Sequence, residues 1–469
     1  MELNLNTELW QKVLAFDLDQ PMSEYGFSTR LAAENFWTED FTQRAILEYK
    51  KFMYLAAVTD GMVSPSEIVD IVWHQHLIFT HSYSELCAIL GKTIQHIPST
   101  HNANEIEKFK LAKERTRTVY QTSFGEQPYD IWETQTMYDA LNLQKSKFKI
   151  RSFLVVGILA SLLLLIPLLF ILKPLYVKIN NPQFLYGYIG LVLLAFLFLE
   201  LYNRARFKKI FSQFTKNSFI DKLHPLELTY LKTKSLKKVI HGVTNQLVHE
   251  DKIEVSQSAL FAKPETQGNN VREYTLLETI KSKNLCDYSL LLFYTLRKSA
   301  FKNISRSMDA LKKYANKSKA FSNIFYLNFG VLVFLFLLGF SRLYIGLERG
   351  KPVVLISITL VALITLLILF LYRLTQQFSH KIIPAHYAKN VIPHTDVSNA
   401  WEWNYFSNGS VLYVAAFIPI LDSANDRANG IPHSSAGSCT SCGTGGGGSS
   451  CGSSCGSSCG SSCGGCGGG

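Results

Sequence analysis

The chain has 469 residues, of which 47% are hydrophobic and 13% aromatic, with 47 Lys and Arg against 36 Asp and Glu. This length allows two or three domains, and the composition excludes a collagen-like, a wholly disordered or a wholly soluble chain. The charge is unevenly divided. Residues 1–144 hold 11 basic and 20 acidic side chains, whereas residues 203–323 hold 23 basic and 10 acidic ones. Two polar regions of opposite charge therefore lie along the chain.

Residues 1–144 are predicted to form a helical cytoplasmic domain. The chain opens with acidic and apolar residues and lacks the basic start of a secretory signal. Residues 64–67 (Ser-Pro-Ser-Glu) have the pattern of a capping box, with Pro65 at the first helical position. The apolar spacing, with Gly91 as a stop signal, predicts helices over 44–58, 65–79, 83–90 and 105–121.

A histidine-rich motif lies within this domain. It comprises Asp70-x-x-Trp73-His74-x-His76, then Tyr83, Cys87, Gly91 and His96-x-Pro98. The motif resembles the glycine-rich-domain-containing-protein-like family, which occurs in plants, fungi and bacteria. In this resemblance the family-motif residues are Asp70, Trp73, His74, His76, Tyr83 and Cys87. Because that family has no firmly assigned biochemical activity, the resemblance implies no particular reaction.

The side chains of the motif suggest a metal site made from His74, His76, Cys87 and His96, because imidazole and thiolate suit zinc. Residues two apart on a helix point to different faces, so His74 and His76 are not expected to chelate one ion together. Asp70 and His74 are four apart and can pair on one face. A metal site and a catalytic cysteine–histidine pair remain open; a structural polar cluster is favoured.

Four apolar runs reach or approach the roughly 20 residues of a membrane-spanning helix. They cover 153–172, 184–202, 324–341 and 353–372. We expect two transmembrane pairs, over 150–202 and 324–372. Transporters place ionisable residues at mid-membrane depth, and these runs have none there. An anchoring role is therefore favoured over transport.

Basic residues beside the runs predict the orientation. Four precede the first run and four follow the second: Lys145, Lys147, Lys149, Arg151, Arg204, Arg206, Lys208 and Lys209. The connections inside each pair are short and carry fewer bases. By the positive-inside rule, both termini and the region between the pairs face the cytoplasm of a bacterial inner membrane.

Residues 203–323 are predicted to form a basic, winged-helix-like cytoplasmic domain. The expected order is helices near 223–231 and 235–249, strands at 252–255 and 259–261, and helices at 272–281, 287–296 and 303–314. The charge raises a nucleic-acid hypothesis, but bases beside spans also satisfy the positive-inside rule and attract anionic lipid. Nucleic acid is therefore the less favoured partner. The layout and the Leu-x-Tyr-Leu helix start at 228–231 resemble bacterial membrane proteins with Gly/Cys-rich tails.

Residues 373–433 are predicted to be a cytoplasmic juxtamembrane segment. Aromatic residues lie near Trp401, and an apolar run covers 411–421. This run is too short to span a bilayer. Packing on the membrane surface is the expected arrangement.

The last segment, 434–469, contains 14 Gly, 12 Ser, 7 Cys and no charged residue, so it is predicted to be disordered. Its cysteines are Cys439, Cys442, Cys451, Cys455, Cys459, Cys463 and Cys466. As cytoplasmic thiols they suit zinc or copper(I), and after oxidation they would form disulfides. The composition also resembles azole-modified peptides, in which Ser and Cys cyclise onto the preceding carbonyl. A flexible tail without such chemistry is the remaining alternative.

These observations predict a mainly α-helical, multi-pass membrane protein acting as a scaffold or interaction protein. Its expected partners are membrane lipid and other proteins, the latter through the N-terminal domain. The alternatives are a metal-handling or thiol-redox protein that uses the tail cysteines or the N-terminal histidines, and a tail that undergoes heterocyclisation. Nothing in the sequence identifies a reaction or a small-molecule substrate, and enzymatic activity is not the favoured interpretation.

Overall fold

The computed structural model describes residues 6–97, 103–212, 218–256, 259–283, 287–392 and 400–428. Over these ranges the protein is mainly α-helical with a two-stranded sheet, as predicted. The N-terminal domain contains α1 (Thr7–Ala15), α2 (Phe27–Asn35), α3 (Glu39–Val58), α4 (Glu67–Ile78), α5 (Thr80–Leu90), α6 (Ala103–Phe124) and α7 (Tyr129–Trp132). The central helix is α3, which buries a face made by Phe41, Ala45, Tyr49, Phe52 and Met53.

The start of α4 differs from the sequence prediction. Ser66 is the capping residue, and its hydroxyl accepts a hydrogen bond from the Val69 amide at 3.2 Å. Pro65 therefore precedes the cap, and its predicted place at the first helical position is wrong. The physical reason is that the first turn of a helix has amides without partners inside the helix. Ser66 lies closer to that turn than Ser64, and its hydroxyl accepts from one of these amides.

The first apolar pair consists of α8 (Ile150–Lys178) and α9 (Asn181–Ser212). The central domain follows, with α10 (Pro225–Thr233), α11 (Leu236–His249), β1 (Ile253–Ser256), β2 (Ala259–Ala262), α12 (Val271–Lys283), α13 (Tyr288–Thr295) and α14 (Ser299–Asn316). The strands form an antiparallel hairpin in which Ile253 pairs with Ala262. The predicted order of helices and strands is confirmed.

The second apolar pair consists of α15 (Lys319–Glu348) and α16 (Val354–Gln377). These two helices, with α8 and α9, are long and apolar enough to cross a membrane, as predicted. Within this group α15 is central, because it packs against α8, α9 and α16. Large apolar side chains cover the outer surface, among them Leu163, Phe170, Leu194, Leu197, Val361 and Ile368. Such a surface suits lipid rather than water.

After α16 come three short α-helices, α17 (Ile383–His386), α18 (Trp401–Asn408) and α19 (Ile418–Ala428), and π-helical turns at Phe378–Ile382 and Tyr387–Val391 flank α17. The predicted packing of 401–421 on the membrane surface is wrong, because α18 and α19 pack on the central domain. The Tyr405 hydroxyl donates to the Lys238 carbonyl at 2.7 Å, and Phe417 is fully buried. Gly242 permits this approach: a Cβ there would lie 2.4 Å from the Tyr405 ring.

The N-terminal and central domains are in direct contact. The Asn303 side chain of α14 donates to the Thr29 carbonyl of α2 at 2.8 Å. Nearby, the Lys298 ammonium lies 2.5 Å from the Glu24 carboxylate. These contacts join surfaces of opposite charge, and the two domains form one packed body beside the apolar helices.

Candidate metal site at the histidine motif

Three side chains of the motif meet at the surface of the N-terminal domain. Asp70 and His74 are one turn apart on α4, and His74 Nδ1 lies 3.6 Å from Asp70 Oδ2. His96, in the segment after α5, places Nε2 3.0 Å from Asp70 Oδ1. One ligand atom from each residue lies within 4.8 Å of the other two. Two imidazoles and a carboxylate thus converge on one point.

Two other motif residues hold His96 in place. The Trp73 ring packs edge-on against the His96 ring, with centroids 4.6 Å apart. Trp73 Nε1 donates to the Tyr83 hydroxyl at 3.2 Å, and that hydroxyl donates in turn to the Ile94 carbonyl. Because Ile94 is two residues from His96, this chain of hydrogen bonds ties the histidine segment to α4. Trp73 and Tyr83 therefore position the cluster.

The remaining motif residues lie elsewhere. Gly91 ends α5 with a φ of +67°, a conformation that favours glycine and lets the chain turn toward His96. Cys87 is a buried, free cysteine, and its thiol does not join the cluster. Of the four predicted ligands, the structure brings together only His74 and His96. The third donor of the cluster is Asp70 rather than Cys87.

His76 is part of the hydrophobic core. It is fully buried, with Nδ1 2.8 Å from the Tyr49 hydroxyl and Nε2 3.0 Å from the Ser82 hydroxyl. The Phe27 ring packs edge-on against it. Burial lowers the pKa of His76 to about 4, so the ring is neutral at physiological pH. With both nitrogens engaged, His76 is structural, and it points away from His74 as its position on α4 requires.

A cleft of about 720 Å³ opens beside the cluster. Asp70, Trp73 and His96 form one wall, and the segment that contains Ser64 and Glu67 forms another. The side chain of His74 is 57% exposed, whereas that of His96 is 18% exposed. The cluster is thus reachable from solvent, and an ion held there would have room for a further ligand.

A second charged cluster lies between the two domains, and no sequence pattern pointed to it. The buried carboxylate of Glu227 accepts hydrogen bonds from the backbone amides of Glu39 at 3.1 Å and His224 at 2.9 Å. Burial and the negative charge of Glu39 raise the pKa of Glu227 to about 8. Burial also lowers the pKa of His224 to about 4. This cluster borders a cavity of about 320 Å³ and serves to join the domains.

Comparisons with protein-family models, curated proteins and solved structures found no match to this chain. The fold itself defines the class, a helical protein with four helices able to cross a membrane. The seven tail cysteines, Cys439 to Cys466, lie outside the described residues. Their predicted metal binding stays a prediction.

Proposed function

We propose that this chain is a membrane-anchored metal-binding protein whose site is formed by Asp70, His74 and His96. The observation that carries the proposal is the convergence of three donor atoms within 4.8 Å of one another. In a tetrahedral zinc site, metal–ligand bonds of about 2.0–2.1 Å place ligand atoms about 3.3 Å apart. The His96 Nε2 to Asp70 Oδ1 separation of 3.0 Å and the His74 Nδ1 to Asp70 Oδ2 separation of 3.6 Å are close to that value, although they end on the two different oxygens of the carboxylate.

The donor set favours zinc over copper(I). Imidazole and carboxylate are borderline and hard ligands that suit divalent zinc, whereas copper(I) prefers thiolates. Three protein ligands leave a fourth position for water or another molecule, and the adjacent cleft provides the space. Trp73 and Tyr83 would act as the supporting groups that fix a metal-binding histidine.

The proposed placement is a bacterial inner membrane, with both termini and the metal-binding domain in the cytoplasm. The support is the concentration of basic residues before α8 and after α9, which the positive-inside rule assigns to the cytoplasmic side. In the described chain the apolar runs 153–172, 184–202, 324–341 and 353–372 hold a single Asp, Glu, Lys or Arg, which is Glu200 near the end of its run. An anchor fits this composition better than a transporter.

The proposal is tested by titrating zinc into the full-length chain in detergent, with the seven tail cysteines replaced by serine. We expect one zinc ion per chain by calorimetry. His96→Gln and Asp70→Asn should each weaken the affinity at least about tenfold. The matched control is His81→Gln, because His81 is 91% exposed on α5 and makes only a weak pair with Glu85. Absence of binding, or equal affinity in all variants, would refute the proposal.

A membrane-anchored scaffold is the second candidate. It is favoured by the direct packing of the N-terminal and central domains, which creates one broad body beside the spans. A scaffold does not depend on the metal, so a partner captured by the wild-type chain should also be captured by His96→Gln. The resemblance to the glycine-rich-domain-containing-protein-like family is compatible with both candidates.

A further inference from the structure

Four chain segments meet where the apolar helices join the cytoplasmic body. Residues from the segment before α8, the end of α9, the junction of α14 and α15 and the turn directly after α16 line the same small internal void: Leu143, Phe207, Ile210, Ala315, Ser318, Phe321 and Phe378. Because these residues line one void, the four segments lie at the same height along the apolar helices. The polar residues next to them in sequence therefore lie around the molecule near that height.

Two of the segments are joined by backbone hydrogen bonds. The Ser146 amide donates to the Lys317 carbonyl at 3.0 Å, and the Lys319 amide donates to the Gln144 carbonyl at 2.7 Å. Lys145 pairs with Ser318 in an antiparallel bridge. Like charges would separate if these segments were free, so the bridge holds lysines together against their repulsion.

Eight lysines of the four segments are exposed, and we call them the basic collar: Lys145, Lys147, Lys149, Lys208, Lys209, Lys317, Lys319 and Lys381. The stretches 143–151, 204–212, 315–321 and 376–383 contain no Asp or Glu. Within the described residues, none of these eight lysines has an ion-pair partner. The collar is therefore a concentration of uncompensated positive charge.

We propose that the basic collar binds the phosphate groups of anionic phospholipids. The collar lies at the helix ends that face the cytoplasmic body, which is headgroup depth if the four helices span the bilayer. Phe148 is 48% exposed between Lys147 and Lys149, so an apolar ring stands beside the charges as in an interfacial anchor. Lysines close to an anionic leaflet attract its headgroups. The proposal does not depend on the metal site.

The test places the full-length chain in nanodiscs of phosphatidylcholine with a minor share of phosphatidylglycerol or cardiolipin. Native mass spectrometry then measures the lipids retained by the protein. We expect anionic lipid to be enriched over its share of the disc. The triple variant Lys145→Gln, Lys317→Gln, Lys319→Gln should lower the enrichment at least about tenfold.

The matched control is Lys108→Gln, Lys110→Gln, Lys113→Gln, which removes the same charge from exposed positions on α6. Changing Lys145, Lys317 and Lys319 to arginine instead should keep the enrichment of anionic lipid. This variant shows that the three positions tolerate substitution. Millimolar inorganic phosphate should not displace the lipid, because it lacks the acyl chains held by the helices. Insertion without enrichment, or an equal loss in the α6 variant, would overturn the proposal. Failure to enter the nanodisc would instead refute the membrane placement.

Discussion

Arg272 of the central domain and Glu39 of the N-terminal domain form a two-pronged ion pair, with Nη1 to Oε2 at 2.8 Å and Nη2 to Oε1 at 3.1 Å. Burial opposes ionisation of Glu39, but the charge and the hydrogen bonds of Arg272 outweigh it and lower the pKa of Glu39 to about 2. An arginine that donates two hydrogen bonds to one carboxylate forms one of the stronger kinds of ion pair in proteins. It connects helices that lie far apart in sequence.

Arg272→Met should lower the free energy of unfolding by about 1–3 kcal/mol, because the Glu39 carboxylate would lose both hydrogen bonds from the guanidinium. The measurement is chemical unfolding of the detergent-solubilised chain. The control is Arg30→Met, which removes an exposed pair with Glu34 within α2 and should change stability by less than about 1 kcal/mol. Equal losses in both variants would show that the interdomain pair has no special role.

The fully buried His76 should make stability fall in mild acid. Its pKa is lowered by burial from 6.5 to about 4, so the folded state favours the neutral ring. The contribution is present above pH 6.5 and is lost as the pH falls from about 6.5 to about 4. Its size is about 3 kcal/mol at pH 4. Unfolding measured across this range should show the loss.

His76→Gln isolates that effect. The variant should be less stable at pH 7, since the Tyr49 and Ser82 hydroxyls lose partners, but its stability should depend less on pH between 6.5 and 4. His81→Gln, an exposed change, should follow the wild-type curve. A pH profile of His76→Gln identical to that of the wild type would show that another group is responsible.

Much of the fold was predictable because its signals are local. An apolar run of spanning length requires no knowledge of its neighbours, and Gly91 marks a helix end through its own conformation. The separation of His74 from His76 also followed from helical geometry alone. The position of α18 and α19 did not follow, because the same aromatic residues suit a membrane surface or a protein surface.

The candidate sites were harder to predict, because they depend on contacts distant in sequence. Asp70 and His96 are 26 residues apart, and only the folded segment after α5 brings them to 3.0 Å. The motif identified both histidines of the cluster but assigned Asp70 only a supporting role. Glu39 and Arg272 belong to no motif, so no sequence signal could have found their pair.

A pair of asparagines joins α9 to α15 within the apolar helices. Asn203 and Asn328 are fully buried, and each side-chain amide donates to the other's carbonyl, at 2.9 Å and 2.8 Å. Asn203→Ala should lower stability by about 1–2 kcal/mol, because lipid offers no replacement hydrogen bond. A double-mutant cycle with Asn328→Ala, measured by unfolding in bicelles, should give a coupling of about 1 kcal/mol. A coupling near zero would contradict the prediction.

The thiol-rich tail, residues 434–469, is predicted to bind copper(I) independently of the proposed zinc site. Soft thiolates prefer copper(I), whereas the Asp70, His74 and His96 set prefers zinc. Deleting the tail should therefore abolish copper(I) uptake and leave one zinc per chain. Replacing its seven cysteines with serine should have the same effect while keeping the length, and a chain with Cys87→Ser alone should bind copper(I) normally.

The pH dependence of copper(I) binding provides the sharper test. A free cysteine has a pKa of about 8.5, so binding at neutral pH must release protons, and affinity should rise with pH through neutrality. Competition with a chromophoric copper(I) chelator at several pH values, with proton release recorded in parallel, measures both effects. Intact mass must first be determined, because each azole ring removes one water and two hydrogens and consumes a Cys or Ser side chain. An unmodified tail that takes up no copper(I) even at mildly alkaline pH would exclude the metal-binding interpretation and leave the alternative of a tail without sulfur chemistry.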